Sequence, residues 1–547
     1  MKTCRIIISI ALSFLLLPPV WGAVSTDIPI GDVTYQYLDL LAAHRVLPAM
    51  ISGQRPFTRM AVAQAIQDVK AADSPPLANV LAWLRTEYGV ELDRLSEGRT
   101  APPWLIPVME VEPAVIGLDS PSRPIPPSNG LGLTGGSAEP LAAYWSDPTV
   151  QDGVQSVWRI RHAAQLGKWL AAEVQPQLIA HHNRDGSGQL MPILRTAYGK
   201  IGGNRLEILT GRGEILWGPG YEGGAFLSAN APPLDMVRVT TPVPFRLPGF
   251  LRHIGALKGG MFFAYLGNGY NPAHAILSGY RLDLQPRPWI AIGLSHAVFM
   301  GGEEMADPTT GDAVLEFLAI SGMIRGPGHG RTASNHLLGL DMQVQIPQWR
   351  GLKLYGAYAY DDPDNNLNIQ FNQDALWQFG FVAPRLSDDG QWSLRGEYLR
   401  AGVGTYRHGL YLSGWTSRGR SLGFPYGGNS NAGMMTVTHH FKPPVFAAIE
   451  GGIAQRSADQ YAIIVNGDGD RMGIQRSVDV PDEVSGHLTI HAQLPLHRNI
   501  HLTTRGGYEH VWNTNFTANL HQNNVFAGLW LTLRFPARLA GVEPATP

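Results

Sequence analysis

The sequence predicts an all-β transmembrane barrel of about 18 antiparallel strands with a small N-terminal helical bundle. Three observations predict it: an export leader, a body poor in charge and free of thiols, and an alternation of apolar with charged residues from Trp104 to Phe535.

The leader is "MKTCRIIISIALSFLLLPPVWGAVS", with Lys2 and Arg5 before an apolar run from Ile6 to Leu17. That run falls short of the ~20 residues that span a bilayer as a helix, so residues 1–22 read as a signal peptide cleaved after Gly22 or Ala23. The single cysteine, Cys4, lies inside it, which leaves a mature chain without disulfides or thiolate ligands. Charged residues are 16% of the chain against the ~25% usual in soluble domains. The net charge is −2, or −4 once Lys2 and Arg5 are removed, which gives no basis for nucleic-acid binding.

Residues 23–100 form the predicted periplasmic three-helix bundle. In "DVTYQYLDLLAAHRVL" Val33, Tyr37, Leu40 and Leu41 share a helical face and Asp32 can cap it. Thr58 is placed to cap a second helix carrying Val62, Ala65, Ile66 and Val69. A third follows Pro75 and Pro76 with Leu77, Val80, Leu81, Leu84 and Tyr88. A core this thin needs something to dock on.

Residues 101–536 are the predicted outer-membrane β-barrel. Trp392, Leu394 and Tyr398 oppose Ser393, Arg395 and Glu397; Tyr280, Leu282 and Leu284 oppose Arg281, Asp283 and Gln285. Leu340, Met342, Val344 and Ile346 oppose Asp341, Gln343 and Gln345, and Trp158 and Ile160 oppose Arg159 and Arg161. A sandwich would alternate in the same way, but 16 to 20 segments joined by short turns and long loops in alternation suit a membrane barrel. The last segment, "NVFAGLWLTLRF", ends on Phe535 in the manner of a barrel-assembly signal, with residues 537–547 expected to be a disordered tail.

If the apolar face meets lipid, Arg159, Arg161, Arg205, Glu207, Arg395, Glu397, Arg505, Glu509 and Arg534 project into the lumen. There they either pair and brace the wall or grip an acidic polysaccharide. The stretch "GRGEILWGPGYEGGAFLSANAPP" from Gly211 to Pro233 has too much glycine for a helix or strand. It reads as a plug or constriction across the lumen, or as a turn that closes the rim. Arg212, Glu214, Trp217, Tyr221, Glu222 and Asn230 are its candidate ligand-binding residues, with Trp217 and Tyr221 able to stack on sugar rings.

Glu214 and Glu222 are the only tempting carboxylate pair for glycosidase chemistry in that stretch, and no serine-hydrolase, zincin or P-loop motif occurs, so no catalytic residue is assigned. "NGDGD" from Asn466 to Asp470 lacks the glycine and glutamate of a calcium loop, and neighbouring histidines point to opposite faces. No metal and no cofactor are expected.

Trp217, Gly218, Gly220, Ser228, Asn230, Ala231, Pro232, Pro242, Phe245 and Pro248 carry a run that resembles the Wzi-type capsule-assembly family of outer-membrane proteins. "LLAAHRVLPAMISGQRPFTRMAVAQAI" is similar to that family's N-terminal segment. The resemblance implies an 18-stranded barrel, a helical bundle at its periplasmic end, and a lectin-like protein that helps attach or assemble capsular or exopolysaccharide at the cell surface. The expected partners are that polysaccharide, outer-membrane lipid and the barrel-assembly machinery; the expected location is the outer membrane of a Gram-negative bacterium after Sec-type export. A porin or passive channel is the alternative, since the same alternation builds an open pore.

Overall fold

The computed structural model describes residues 23–535 except 70–73, 98–103, 121–122, 127–136, 139–151, 204, 221–223, 306–307, 321–333, 362–365 and 468–470. The leader and the C-terminal tail lie outside the described residues.

Eighteen strands form the wall. The first six are β1 (Trp104–Asp119), β2 (Gly153–Leu166), β3 (Leu170–His182), β4 (Gly188–Gly202), β5 (Glu207–Gly213) and β6 (Leu234–Thr240). Then come β7 (Ala256–Tyr265), β8 (Ile276–Arg287), β9 (Ile290–Met300), β10 (Ser334–Ile346), β11 (Leu352–Asp361) and β12 (Ala375–Ala383). The last are β13 (Trp392–Ala401), β14 (Ser430–His440), β15 (Phe446–Arg456), β16 (Glu483–His497), β17 (Ile500–Trp512) and β18 (His521–Arg534). Each pairs antiparallel with the next, and β1 pairs with β18 (Val115 opposite Leu529), so no edge is left open.

Alternation decides which face meets lipid. Trp158, Leu282, Leu340, Met342, Tyr398 and Leu529 are about half exposed on the outer wall, whereas Arg161, Arg281, Asp283 and Asp341 are buried inside. Trp169, Trp289, Trp349, Trp392 and Phe441 ring the end with short turns, and Tyr265, Tyr508 and Trp512 stand toward the other, the two aromatic girdles of an outer-membrane-type barrel.

The helices close the short-turn end. They are α1 (Thr34–Ala43), α2 (Arg59–Gln67), α3 (Pro75–Glu87) and α4 (Gly89–Glu97). Thr58 caps α2 by accepting from the Ala61 amide, and Asp32 accepts from the Thr34 amide before α1. The stretch expected to be one third helix is two, because Tyr88 leaves helical geometry. Tyr37, Leu41, Val62, Ile66, Leu81 and Leu84 make their core, to which the wall contributes Phe446. Asp39 pairs with Lys353 at 2.9 Å and Glu87 with Arg534 at 3.2 Å, so the bundle is pinned to opposite arcs of the wall.

Candidate functional site

At the end of β5 the chain leaves the wall and turns inward. Gly211 has φ +126, and a Cβ there would sit 2.2 Å from the Ala197 carbonyl, so only glycine lets β5 run this close to β4. A Cβ on Gly224 would likewise lie 2.2 Å from the Trp217 carbonyl oxygen. Residues 216–217 pair with Gln54 and Arg55 of the N-terminal segment, and the Gly218 amide donates to Gly53. The glycine-rich stretch is therefore an inward plug, and it meets the N-terminal region inside the lumen.

A second inward loop, residues 402–429, completes the plug. The Ser228 Oγ donates to the Gly423 carbonyl at 2.6 Å, the Ser228 amide to Leu422 at 2.7 Å, and Asn230 Nδ2 to Ser421 at 2.9 Å. Trp415 Nε1 donates to the Phe226 carbonyl at 2.8 Å. Trp217, Phe226, Leu227, Tyr406, Tyr411, Trp415 and Phe424 join Phe262, Phe299 and Leu376 of the wall in the largest apolar core of the molecule. The serine and asparagine of the S-x-N-A-P run thus clip one inward loop to the other, and the apolar residues between them pack across the lumen against the wall.

This placement corrects the role expected of Trp217. It is 2% exposed, edge-on to Phe262 at 5.1 Å and tilted against Phe226 at 6.1 Å, so no sugar ring reaches it. Asn230 is 3% exposed and committed to the clip. Glu214 accepts from Arg195 at 3.1 Å and from the Ile30 amide at 2.9 Å, a structural assignment for both carboxylate oxygens. Tyr221 and Glu222 lie outside the described residues, as does part of Asn466 to Asp470.

Arg212 is the predicted site residue that stays accessible. It forks onto Asp235 with two bonds of 2.7 Å, and Arg418 of the second inward loop reaches the same carboxylate at 3.0 Å. Two guanidiniums share one carboxylate at the rim where β5 ends and β6 begins, leaving a local excess of positive charge beside the plug.

The lumen charges are mostly paired. Arg159 binds Glu112, Arg161 meets Glu173 at 2.6 Å, and Glu207 meets Lys200 at 2.9 Å. Arg395 and Arg505 converge on Glu450 at 3.5 and 3.9 Å, Glu397 accepts from the Tyr355 hydroxyl, and Glu509 pairs with Arg123 at 2.8 Å. Arg534 contacts Glu87 and Glu110. Arg205 departs from expectation: it stands exposed in the turn between β4 and β5, because the strand ends before reaching it. Sequence reasoning missed Arg123 and the pairing of Asp27 with Lys200 and Arg238, because the partners lie far along the chain. It also omitted Arg281, whose place opposite the lipid face of "YRLDLQ" could have revealed it.

A polar cavity of about 230 Å³ remains, lined by Asp27, Glu110, Arg159, Arg195, Glu214 and Arg534 among others. Above it the two inward loops close the lumen, and the helices cover the opposite end.

The family model described as capsule assembly protein Wzi matches residues 126–525. Among solved structures, Wzi, an outer-membrane protein involved in group 1 capsule assembly in Escherichia coli and described as a carbohydrate-binding β-barrel, aligns with a TM-score of 0.64. Identity is 16%, over 94% of this chain and 100% of that one. OprD of Pseudomonas aeruginosa aligns at 0.41 with 9% identity, over 80% and 98% of the chains. OccK11 (OpdR) of the same organism aligns at 0.40 with 11%, over 80% and 96%. No curated protein matches by sequence.

Proposed function

The chain belongs to the capsule assembly protein Wzi family, and on that premise we propose that it is an outer-membrane, lectin-like protein that holds capsular or exopolysaccharide at the cell surface. The observation that carries this reading is the filled lumen: a polymer cannot thread a barrel sealed by Trp217, Phe226 and Trp415, so it is held from outside. Passive transport needs the opposite, an open pore.

The accessible part of the site is the Arg212, Asp235 and Arg418 cluster, whose surplus guanidinium suits the carboxylates of an acidic glycan. Trp217 and Asn230 act beneath it by fixing the loops. With Glu214 held by Arg195 and Ile30, the protein binds and does not cleave. In this reading the leader, residues 1–22, is removed and residues 23–100 face the periplasm. Residues 101–536 are inserted in lipid by the barrel-assembly machinery.

The test compares cell-bound and released polysaccharide in a strain lacking the protein, complemented by wild type or by R212Q/R418Q. Loss of retention without the protein, unrelieved by the double variant at equal surface abundance, is expected. Full retention with the variant rejects the rim cluster, and retention without the protein rejects the function. Purified wild type is expected to stay nearly silent in planar bilayers, and a stable large conductance would favour the channel.

A further inference from the structure

The part of the family run carried by Pro242, Phe245 and Pro248 does not join the plug. It lies at the opposite end of the barrel, in residues 241–255 between β6 and β7, the longest connection among the short turns. Its placement is firm. Phe245 and Leu257 exchange backbone hydrogen bonds of 2.9 and 2.7 Å, which puts Phe245 on the lipid side with Leu257 and its neighbour Leu284. Gly255, at φ +124, would bring a Cβ within 2.2 Å of the Gln285 carbonyl, so the turn is pressed against the end of β8.

This well-anchored turn presents apolar groups outward. Phe250 is 82% exposed, and Phe245, Ile254 and the neighbouring Trp289 are also exposed. Arg246, Arg252, His253 and Arg287 are exposed among them. Residues 241–260 contain no aspartate or glutamate. Arg252 reaches only His253, at 3.4 Å, and Arg287 only the Pro286 carbonyl, at 3.3 Å. Among the described residues no carboxylate lies within ion-pair distance of Arg246, Arg252 or Arg287, whereas the guanidiniums inside the wall are largely paired.

Phenylalanine, isoleucine and tryptophan beside unpaired cations make the side-chain set of an interfacial lipid contact. The patch continues the lipid-facing belt at the level of the short-turn girdle, the periplasmic side in barrels of this kind. We propose that residues 241–255 with Arg287 and Trp289 form a binding site for an anionic phospholipid of the periplasmic leaflet. Phe245, Phe250 and Ile254 enter the acyl region, and the three guanidiniums hold the headgroup phosphate. The site does not depend on which glycan the other end takes.

The test uses the folded mature chain in detergent, titrated with phosphatidylglycerol or phosphatidylcholine of identical acyl chains and read by native mass spectrometry. A cation at an anionic surface is worth about fivefold in association. Wild type is therefore expected to retain phosphatidylglycerol in at least tenfold preference, and R246Q/R252Q/R287Q to lose that preference. K442Q/R498Q removes exposed cations from short turns on the opposite arc and is expected to keep it. The proposal is overturned if the triple variant binds phosphatidylglycerol as wild type does. Equal loss in both variants also overturns it, because the preference would then come from diffuse charge around the rim.

Discussion

Replacing Trp217 by alanine tests how the lumen is held shut. The indole is 2% exposed and packs on Phe226 of the plug and Phe262 of the wall. Truncating a buried tryptophan costs about 3–5 kcal/mol, which is transfer free energy plus an unfilled cavity. The wall strands keep their ladders, so the loss falls on the local closing of residues 214–233 and 402–429. At about 1.4 kcal/mol per factor of ten, the population of the opened plug rises between about a hundredfold and a few thousandfold. Hydrogen exchange by mass spectrometry on the detergent-folded protein reads this directly. The Ser228 and Leu422 amides, bonded across and within the plug at 2.7 and 2.9 Å, are expected to exchange faster by that factor. Amides of β14 to β17 are expected to be unchanged. Unaltered exchange at Ser228 and Leu422, or a uniform rise across the wall, would refute the account of the plug as a separately closing unit.

Other substitutions test the polar interior. Burial pushes the Asp27 carboxyl up, but Arg238 and Lys200, at 2.7 and 2.6 Å, outweigh it and hold it below its ordinary value of 3.8. Docking of the N-terminal segment is therefore fully present above pH 3.8 and lost as pH falls through the lower folded value, and pepsin cleavage of that segment should rise there. D27N is expected to weaken docking at neutral pH and to flatten the dependence. Arg281, fully buried, holds Asp283 and Asp341 at 2.6 Å each, so R281M strands two carboxylates and costs about 3–5 kcal/mol. A lowered temperature for loss of compact migration in gels checks this, and R281M/D283L/D341L is expected to restore it. Arg407, in the second inward loop, donates to the Pro126 carbonyl at 2.9 Å while its Nε and Nη1 have no partner, and burial pushes its guanidinium down to about 10. R407M removes that desolvation cost of about 3 kcal/mol and is expected to slow exchange in residues 402–429; faster exchange would show that the Pro126 contact matters more.

The amino-acid sequence by itself determined the barrel, because a strand's side chains alternate between two faces and each face must match its solvent. Arg395 and Glu397 against Trp392 and Tyr398 can be sorted without knowing any neighbour. The helices around Tyr37, Ile66 and Leu81 were legible for the same local reason. Glycines at 218, 220 and 224 marked a stretch that could not stay in the wall, although Gly211 and Gly213 at its start remain in β5. Which way that stretch turned was a matter of partners some 190 residues away: Ser228 with Gly423, and Phe226 with Trp415. Only the tertiary structure decided that Trp217 seals a core instead of facing a sugar. Only it, too, sent Ser228 and Phe245, close in one sequence run, to opposite ends of the barrel. A periodic pattern reports the face a residue occupies, whereas its role depends on what the closed wall brings opposite to it.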